Sequence, residues 1–220
     1  MSKVVLFGNK SEACTAYHDL KHFSDHEIAG FTVDREYIDQ DTLFDLPVVP
    51  FDDVVSVFPC DEHTMLIAVG YVRGNTLRAQ RYSQAKDWGY ELINFISPKA
   101  IIYPGLEIGS NCRISHNSVI FQDVRIGDDV SIGAGCLIGH DVVIGNHCFL
   151  GSGVGVSGGV TVGSYSFFGT NATIRNRIAI GSRCVVGAGA LVLEDLEDET
   201  VCLGRAADIL PISSSELSLP

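Results

Sequence analysis

The chain has 220 residues, 46% of them hydrophobic, and is therefore long enough to bury a sizeable core. Its formal net charge of −12 argues against nucleic acid and acidic membrane surfaces as partners, because both attract basic proteins. No apolar run reaches membrane-spanning length, and Met1 to Lys3 lead directly into an apolar run. We therefore expect no membrane insertion and a cytoplasmic protein.

Residues 1–95 alternate between apolar runs and helical patterns. Strands are predicted at 4–7, 28–33 and 65–69, with an extended segment at 46–50. Helices are predicted at 12–23 and 73–88, with a short one at 52–57. Strands that alternate with helices are typical of a parallel sheet, so this segment is predicted to be a small α/β (Rossmann-like, βαβ) domain.

Such sheets bind ligands at the carboxyl ends of their strands. This rule places seven residues around one predicted crevice: Gly8, Asn9, Lys10, Asp34, Arg35, Gly70 and Tyr71. The loop that begins at Gly8 lacks the second and third glycines of a dinucleotide fingerprint, which argues against an NAD site. Taken alone, this loop is also compatible with an ordinary turn.

An apolar residue recurs every six positions without a break through sixteen hexads that start at Ile96. The fifth position of each hexad is small or aliphatic, and glycine fills the second position in ten hexads. Neither the 3.6-residue period of a helix nor the two-residue period of a strand produces this spacing. The period predicts a parallel β-helix of slightly more than five coils, with the first position inward and the third outward. Glycine at the second position is attributed to the backbone conformation at the corners.

The seven cysteines contain no C-x-x-C pair, and four of them occupy fifth positions, where a small buried residue is expected. We interpret these as free core thiols in a reducing compartment: Cys112, Cys136, Cys148 and Cys184.

After Leu191 the period gives way to an acidic surface segment at 194–199. A final strand is predicted at 201–204, and a frayed tail at 211–220. The predicted domains are therefore 1–95, 96–210 and the tail 211–220.

Three histidines of the repeat are candidates for acid–base chemistry. His140, followed by Asp141, holds the third position of its hexad and should face outward. His116 holds the same offset four hexads earlier, on a different side of the prism, and His147 holds a fourth position. An exposed histidine is commonly a harmless surface residue, so the pattern alone selects none of the three.

The domain order and two motifs resemble a known family. The motifs are His140-Asp141-x-x-Ile144-Gly145 and the segment from Gly158 to Gly163. Together they resemble the sialic acid O-acetyltransferase-like family of hexapeptide-repeat sugar acetyltransferases. That family includes N-acetyltransferases of nucleotide-linked 4-amino-4,6-dideoxy sugars, of the bacillosamine and perosamine type. The resemblance extends to about residue 210, and it implies a left-handed β-helix and a homotrimer with sites between subunits.

The resemblance also implies roles for single residues. It makes His140 the catalytic base with Asp141 as its partner, and the amide of Gly158 a donor to the oxyanion of the reacting acyl group. Acetyl-CoA would lie in a groove between subunits, against Gly158, Thr170 and Ala188. The nucleotide sugar would bind in the first domain, at Gly8, Asn9, Lys10 and Ser11 and at Asp34 and Arg35.

Three segments depart from the family pattern. The first loop is usually glycine-rich, whereas here it runs from Gly8 to Glu12 with one glycine. The position nine residues after the catalytic histidine is often a second histidine, and here it is Phe149. The family commonly ends in Gly-x-Pro-Ala-Lys, and this chain has neither the proline nor the lysine, so Arg205 is the candidate cation for the cofactor.

The favoured hypothesis is an acetyl-CoA-dependent N-acetyltransferase of a nucleotide-linked amino sugar in bacterial surface-glycan (lipopolysaccharide or O-antigen) synthesis. A sugar O-acetyltransferase of the sialic acid type stays open, because one base and one thioester serve a hydroxyl equally well. A γ-carbonic-anhydrase-like metal enzyme is less favoured, since the spacing from His140 to His147 does not fit a zinc pair, and no metal is expected. An inactive β-helical scaffold is the remaining alternative.

Overall fold

The computed structural model describes residues 3–208, 211 and 213. Its N-terminal domain contains one five-stranded sheet with the order β3-β4-β2-β1-β5. The strands are β1 (Lys3–Phe7), β2 (Ile28–Val33), β3 (Thr42–Leu43), β4 (Leu46–Pro50) and β5 (His63–Ile67). The helices are α1 (Ser11–Phe23), α2 (Val54–Val57) and α3 (Thr76–Asp87), with 3-10 turns at Arg35–Tyr37 and Phe51–Asp53.

Helices cover both faces of this sheet. Alternate residues of β1 point to opposite faces and therefore pack against different helices. Val4 and Leu6 pack in one core with α1, while Val5 and Phe7 pack in a second core with α2 and α3. All strand pairs are parallel except β3 with β4. The predicted α/β domain is therefore confirmed.

Several boundaries in this domain differ from the prediction; α2, for example, begins at Val54 after a 3-10 turn rather than at residue 52. The strand β5 starts and ends two residues earlier than expected, and β3 was not predicted. The helix α3 begins at Thr76 rather than at Arg73, because Arg73 and Asn75 have left-handed φ angles of 49° and 63°. Such angles do not occur inside a right-handed helix.

The second domain is a prism of two-residue strands that form three parallel sheets, here called sides 1, 2 and 3. Each strand pairs with the strand one coil later, as Ile138 does with Val156, so each coil contains 18 residues.

Side 1 consists of β6 (Phe95–Ile96), β9 (Arg113–Ile114), β12 (Ser131–Ile132), β15 (Phe149–Leu150), β18 (Phe167–Phe168), β21 (Val185–Val186) and β23 (Val201–Cys202). Side 2 consists of β7 (Ile101–Ile102), β10 (Val119–Ile120), β13 (Leu137–Ile138), β16 (Gly155–Val156), β19 (Thr173–Ile174) and β22 (Leu191–Val192). Side 3 consists of β8 (Glu107–Ile108), β11 (Arg125–Ile126), β14 (Val143–Ile144), β17 (Thr161–Val162) and β20 (Ala179–Ile180).

From Cys112 onwards, the first and fifth hexad positions fill a single apolar core. The four cysteines at fifth positions are free and buried, as predicted. Burial raises the pKa of Cys112 and Cys148 to about 12 and that of Cys136 to about 11. These thiols are core residues rather than nucleophiles.

The predicted reason for glycine at the second position is wrong. These glycines do not have left-handed φ angles; instead they touch the backbone of the next coil. A Cβ on Gly145, for example, would lie 2.8 Å from the backbone nitrogen of Ser164. The left-handed residue is at the fourth position, as in Asn111 (57°) and Asp141 (57°).

The coils continue beyond the sequence period. The strand β22 and a bridge between Ile180 and Leu196 extend the stack, and the predicted final strand is present as β23, which ends side 1. The proposed boundary at 210 and most of the predicted tail at 211–220 lie outside the described residues. Among the helices of the described part, none has the length and apolar character that a membrane crossing requires.

Candidate active site

The three candidate histidines lie at three different corners of the prism. His140 lies between sides 2 and 3, and its side chain is 55% exposed. Its Nδ1 is 2.7 Å from Oδ2 of Asp141, whose left-handed backbone turns the carboxylate back towards the ring. Within the described residues, Nε2 of His140 has no protein partner. When the neutral ring donates its Nδ1–H to Asp141, Nε2 carries no proton and can accept one. This is the tautomer that a general base requires.

The other two histidines are engaged at the junction between the domains. Nδ1 of His116 pairs with Oγ of Ser97, and its Nε2 is 3.2 Å from Oδ1 of Asp19 in α1. Nδ1 of His147 is 2.8 Å from Oδ2 of the buried Asp129, and only 11% of the His147 side chain is exposed. The geometry therefore favours His140 as the base.

Gly158 lies one coil after His140 and directly against its imidazole. A Cβ on Gly158 would lie 2.6 Å from Nε2 of the histidine. Among the described residues, the N–H of Gly158 donates to no protein group. By contrast, the third-position amide of Asp128, at the corner between sides 3 and 1, donates to Oδ1 of Asn146 at 2.9 Å. The corner of His140 thus combines a free ring nitrogen with a free backbone donor.

A cleft of about 410 Å³ lies at the carboxyl ends of β1, β2 and β5. It is lined by most of the predicted substrate residues: Gly8, Asn9, Lys10, Ser11, Asp34, Gly70 and Tyr71. Arg35 does not line this cleft, since its guanidinium pairs at 2.7 Å with Asp53 on the neighbouring surface.

The glycine loop of the cleft adopts a geometry that only glycine fits. Gly8 has a φ of 125°, and a Cβ there would lie 2.7 Å from the carbonyl oxygen of Ala68. The loop leads into α1 at Ser11, so the unpaired amides at the start of this helix lie beside the cleft and favour an anionic group. The hydrogen bond from Nζ of Lys10, 2.6 Å long, lowers the pKa of Asp39 below its usual range and favours the carboxylate form at the cleft edge.

The sequence did not assign Tyr37, Glu12 or Phe149 to the cleft, although all three line it. Tyr37 lies in a 3-10 turn. The side-chain Nδ2 of Asn9 donates a hydrogen bond to the backbone carbonyl of Tyr37 at 2.7 Å. Phe149 comes from β15 on side 1, so the β-helix forms part of the cleft wall. Its departure from the family pattern was the one available signal.

The predicted cofactor residues do not all lie together in one chain. Thr170, Ala188 and Arg205 lie at the corner between sides 1 and 2, where Gly204 packs against Ala188. Gly158 lies at the corner between sides 2 and 3. Arg205 is exposed and has no ion-pair partner among the described residues.

The described part of the chain contains no group of three or more histidine, cysteine or carboxylate side chains arranged for a metal ion. The dispersion of the three histidines to three corners agrees with this finding.

Two family models match the repeat. The family described as "Bacterial transferase hexapeptide (six repeats)" matches residues 123–158, and that described as "Hexapeptide repeat of succinyl-transferase" matches residues 159–194. No curated protein matches the chain.

Solved structures match nearly the whole chain. A mutant of perosamine N-acetyltransferase from Caulobacter crescentus, in complex with CoA and GDP-perosamine, is 27% identical with a TM-score of 0.85. The match covers 93% of this chain and 94% of that one. PerB from Caulobacter crescentus, with the same ligands, is 28% identical with a TM-score of 0.84 over 93% and 95% of the two chains.

The acetyltransferase domain of PglB from Neisseria gonorrhoeae, in complex with acetyl coenzyme A, has the same fold. It is 22% identical, with a TM-score of 0.81, and the match covers 94% of this chain and 98% of that one. These matches confirm the left-handed β-helix behind an α/β domain. The repeat thus matches two hexapeptide transferase families, the chain as a whole is similar to perosamine N-acetyltransferase, and it is an acyltransferase.

Proposed function

We propose that this protein transfers the acetyl group of acetyl-CoA to the amine of a nucleotide-linked amino sugar, of the 4-amino-4,6-dideoxyhexose type. One observation carries the proposal: His140, oriented by Asp141, leaves Nε2 free beside the free amide of Gly158. A base and an oxyanion donor in contact are what acyl transfer from a thioester requires. The CoA and GDP-perosamine bound by similar structures support the choice of substrates.

The reaction needs one proton transfer in each direction. The sugar amine attacks the thioester carbonyl, and Nε2 of His140 accepts the proton that the amine loses as the C–N bond forms. The carboxylate of Asp141, at 2.7 Å from Nδ1, stabilises the imidazolium that results. The N–H of Gly158 would donate to the oxyanion. When the C–S bond breaks, the imidazolium returns the proton to the leaving thiolate.

The cleft of the first domain is proposed to hold the nucleotide sugar. The amides at the start of α1 and the Nζ of Lys10 would hold the diphosphate. The carboxylate of Asp34 and the carbonyl of Tyr37 offer acceptors for hydroxyl or amino groups of the nucleoside. Arg35 would contribute only through a change in its pairing with Asp53.

A homotrimer is proposed because one chain separates the parts of the site. The cleft lies against side 1, and the proposed acetyl-CoA residues Thr170, Ala188 and Arg205 lie between sides 1 and 2. His140 lies at the opposite edge of side 2. Side 2 itself exposes large apolar residues, among them Leu137 (50%) and Leu191 (60%). Contact between subunits along side 2 would cover these residues and bring His140 to the neighbour's cleft.

Acetyl-CoA is proposed to lie along this interface. Backbone groups of Gly158, Thr170 and Ala188 would contact the pantetheine arm, and Arg205 would pair with a phosphate of the cofactor. We further propose a cytoplasmic role in surface-glycan synthesis, since nucleotide-linked sugars are the donors for such polymers. The domains are proposed to meet near residues 95–96, where β6 starts side 1.

The proposal is tested by thiol release from acetyl-CoA with UDP-, GDP- and dTDP-linked 4-amino sugars. Wild type should be active on one member of the panel, and His140→Ala should lose about 10²–10⁴-fold in kcat. A matched control is His26→Ala, because His26 is exposed and distant in sequence from the site. Activity that survives in His140→Ala would remove the histidine from the mechanism. If acetyl transfer occurred only to hydroxyl analogues of these sugars, the acceptor would be a hydroxyl group rather than an amine.

The trimer is tested by placing a charge on side 2. Leu137→Glu should dissociate the assembly and abolish activity, because three buried carboxylates would have no partners. Sedimentation velocity gives the mass of the assembly. A monomeric wild type, or a fully active monomeric variant, would contradict the proposal.

A further inference from the structure

A buried polar cluster connects α3 to the β-helix directly behind the cleft. It consists of Arg78 from α3 and three stacked corner residues, Asn111, Asp129 and His147. The three corner residues occupy successive fourth positions, 18 residues apart, and all have left-handed φ angles between 56° and 59°. The proposed chemistry uses none of these side chains.

Arg78 uses its guanidinium across both domains. Its Nε donates to Oδ1 of Asp129 at 2.9 Å, and Nη2 donates to the carbonyls of Asp129 and Cys148 at 2.8 and 3.0 Å. Its Nη1 lies 3.5 Å from the carbonyl of Val69, and its side chain is 3% exposed. The guanidinium also lies 5.9 Å from the centre of the Phe149 ring.

The side chain of Asn111 forms hydrogen bonds with the main chain at the end of β5, as a neighbouring strand would. Its Oδ1 accepts from the N–H of Ile67 at 2.7 Å, and its Nδ2 donates to the carbonyl of Ile67 at 3.3 Å. The same Nδ2 is 2.7 Å from Oδ1 of Asp129. The end of β5 is therefore fixed to the β-helix by side chains rather than by a sheet ladder.

The cluster contacts residues from two walls of the cleft. Val69, which follows β5, lines one wall, and Phe149, next to Cys148, lines another. The walls belong to different domains, so their separation depends on how the domains are joined. The cluster connects both walls, since Arg78 contacts each of them.

We infer that Arg78 and Asn111 are positioning residues for the nucleotide sugar: they set the width of the cleft by fixing Val69 against Phe149. This inference rests on the proposed function, in that the cleft is the nucleotide-sugar site. It is distinct from a general stabilising role, because loss of the cluster should weaken sugar-nucleotide binding and leave the acetyl-CoA site unchanged. Arg78→Lys keeps the charge but cannot reach Asp129, Cys148 and Val69 together, because lysine has one nitrogen.

Two variants test the inference. Arg78→Lys and Asn111→Gly both remove part of the cluster, and glycine accepts the left-handed backbone at 111. The matched control is Asn94→Ala. Asn94 also joins two main-chain groups near the domain junction, the N–H of Cys112 and the carbonyl of Gly109, both at 2.7 Å. It does not line the cleft.

Calorimetric titration with UDP, GDP and dTDP identifies the nucleotide that the wild-type trimer binds. Both variants should bind it at least tenfold more weakly and show a similar rise in KM for the sugar. Their KM for acetyl-CoA, and their kcat at saturating sugar, should stay within twofold of wild type. Asn94→Ala should retain the wild-type Kd for the nucleotide, even if its melting temperature falls as far as theirs.

The outcomes separate the inference from the proposed function. Equal nucleotide affinity in wild type and both variants would overturn the positioning role and leave the acetyltransferase proposal standing. A parallel loss in Asn94→Ala, or a parallel rise in the KM for acetyl-CoA, would reduce the cluster to a structural role. A wild type that binds none of the nucleotides, yet transfers acetyl groups, would overturn both the cleft assignment and the inference.

Discussion

Gly158→Ala should lower the catalytic rate at the proposed site with little change in thermal stability. The added Cβ would lie 2.6, 2.8 and 2.9 Å from Nε2, Cε1 and Cδ2 of His140, where ordinary contacts begin near 3.4 Å. The ring must therefore move by somewhat less than 1 Å. Since the His140 side chain is about half exposed, it can move at little cost to folding. A displacement of about 1 Å at the reacting atoms can cost about 10²-fold in rate, so kcat should fall about 100-fold.

Gly145→Ala provides the contrast, because its Cβ would meet backbone rather than an exposed ring. The nearest atoms are the nitrogen and Oγ of Ser164, both at 2.8 Å, in the next coil. Neither Gly145 nor Gly158 has a left-handed φ, so alanine is conformationally permitted at both positions. Overpacking against a rigid coil costs about 1–3 kcal/mol, and each kcal/mol lowers Tm by about 2–4 °C in a chain of this size.

The assay combines thiol release at saturating substrates with thermal unfolding of both variants. We expect Gly158→Ala to lose activity with a Tm within about 2 °C of wild type, and Gly145→Ala to lose Tm while its kcat at 25 °C stays within about threefold. A fully active Gly158→Ala would refute the contact between Gly158 and a catalytic imidazole. Equal losses of Tm in both variants would show that His140 is held rigidly, contrary to its exposure.

Three further outcomes are expected. Asp141→Asn should lower kcat about tenfold and less than His140→Ala does, because the base remains but its cation loses the carboxylate at 2.7 Å; kcat measured for both variants checks the order. Arg205→Ala should raise the KM for acetyl-CoA about two- to fivefold and leave the KM for the sugar unchanged in steady-state assays, since an exposed ion pair contributes up to about 1 kcal/mol. Burial raises the pKa of four core thiols, so iodoacetamide at pH 8 should label at most three cysteines of the native protein and all seven after denaturation, as counted by mass spectrometry. The three that should react are Cys14, Cys60 and Cys202.

The six-residue period was sufficient to predict the β-helix, because one interior position recurs with every strand. Inward packing is a property of each residue in its own hexad, so it is visible in the sequence. Contacts between coils join residues 18 or 19 positions apart, and nothing local marks them. The sequence therefore revealed the preference for glycine at positions such as Gly145, but not that the close approach of Ser164 is the reason. It also revealed that His140 is exposed, but not that Gly158 touches its ring.

The junction between the domains was invisible in the sequence for a similar reason. Arg78 belongs to a helix of ordinary composition, and its partners come from the β-helix and the end of a strand. Residue patterns indicate which faces are buried, but not which buried charges meet across two domains. Phe149 illustrates the same limit, since it departs from the family motif yet its role in the cleft depends on where the first domain docks.

The distribution of the site over separate corners has a consequence for how such a chain can act. Within one chain, His140 and the cleft lie at different sides of the prism, and the hydrogen bonds of Arg78 join the first domain to its own β-helix away from the histidine. Under the proposed function, a second copy of the chain would therefore complete the site. If a neighbour does so, the rigidity of the junction becomes useful, because it fixes the cleft relative to the neighbour's histidine as well as to its own β-helix. With a flexible linker in place of that cluster, the sugar amine would no longer be held in a fixed orientation towards the thioester of acetyl-CoA. The contribution of that orientation to lowering the activation barrier would be lost.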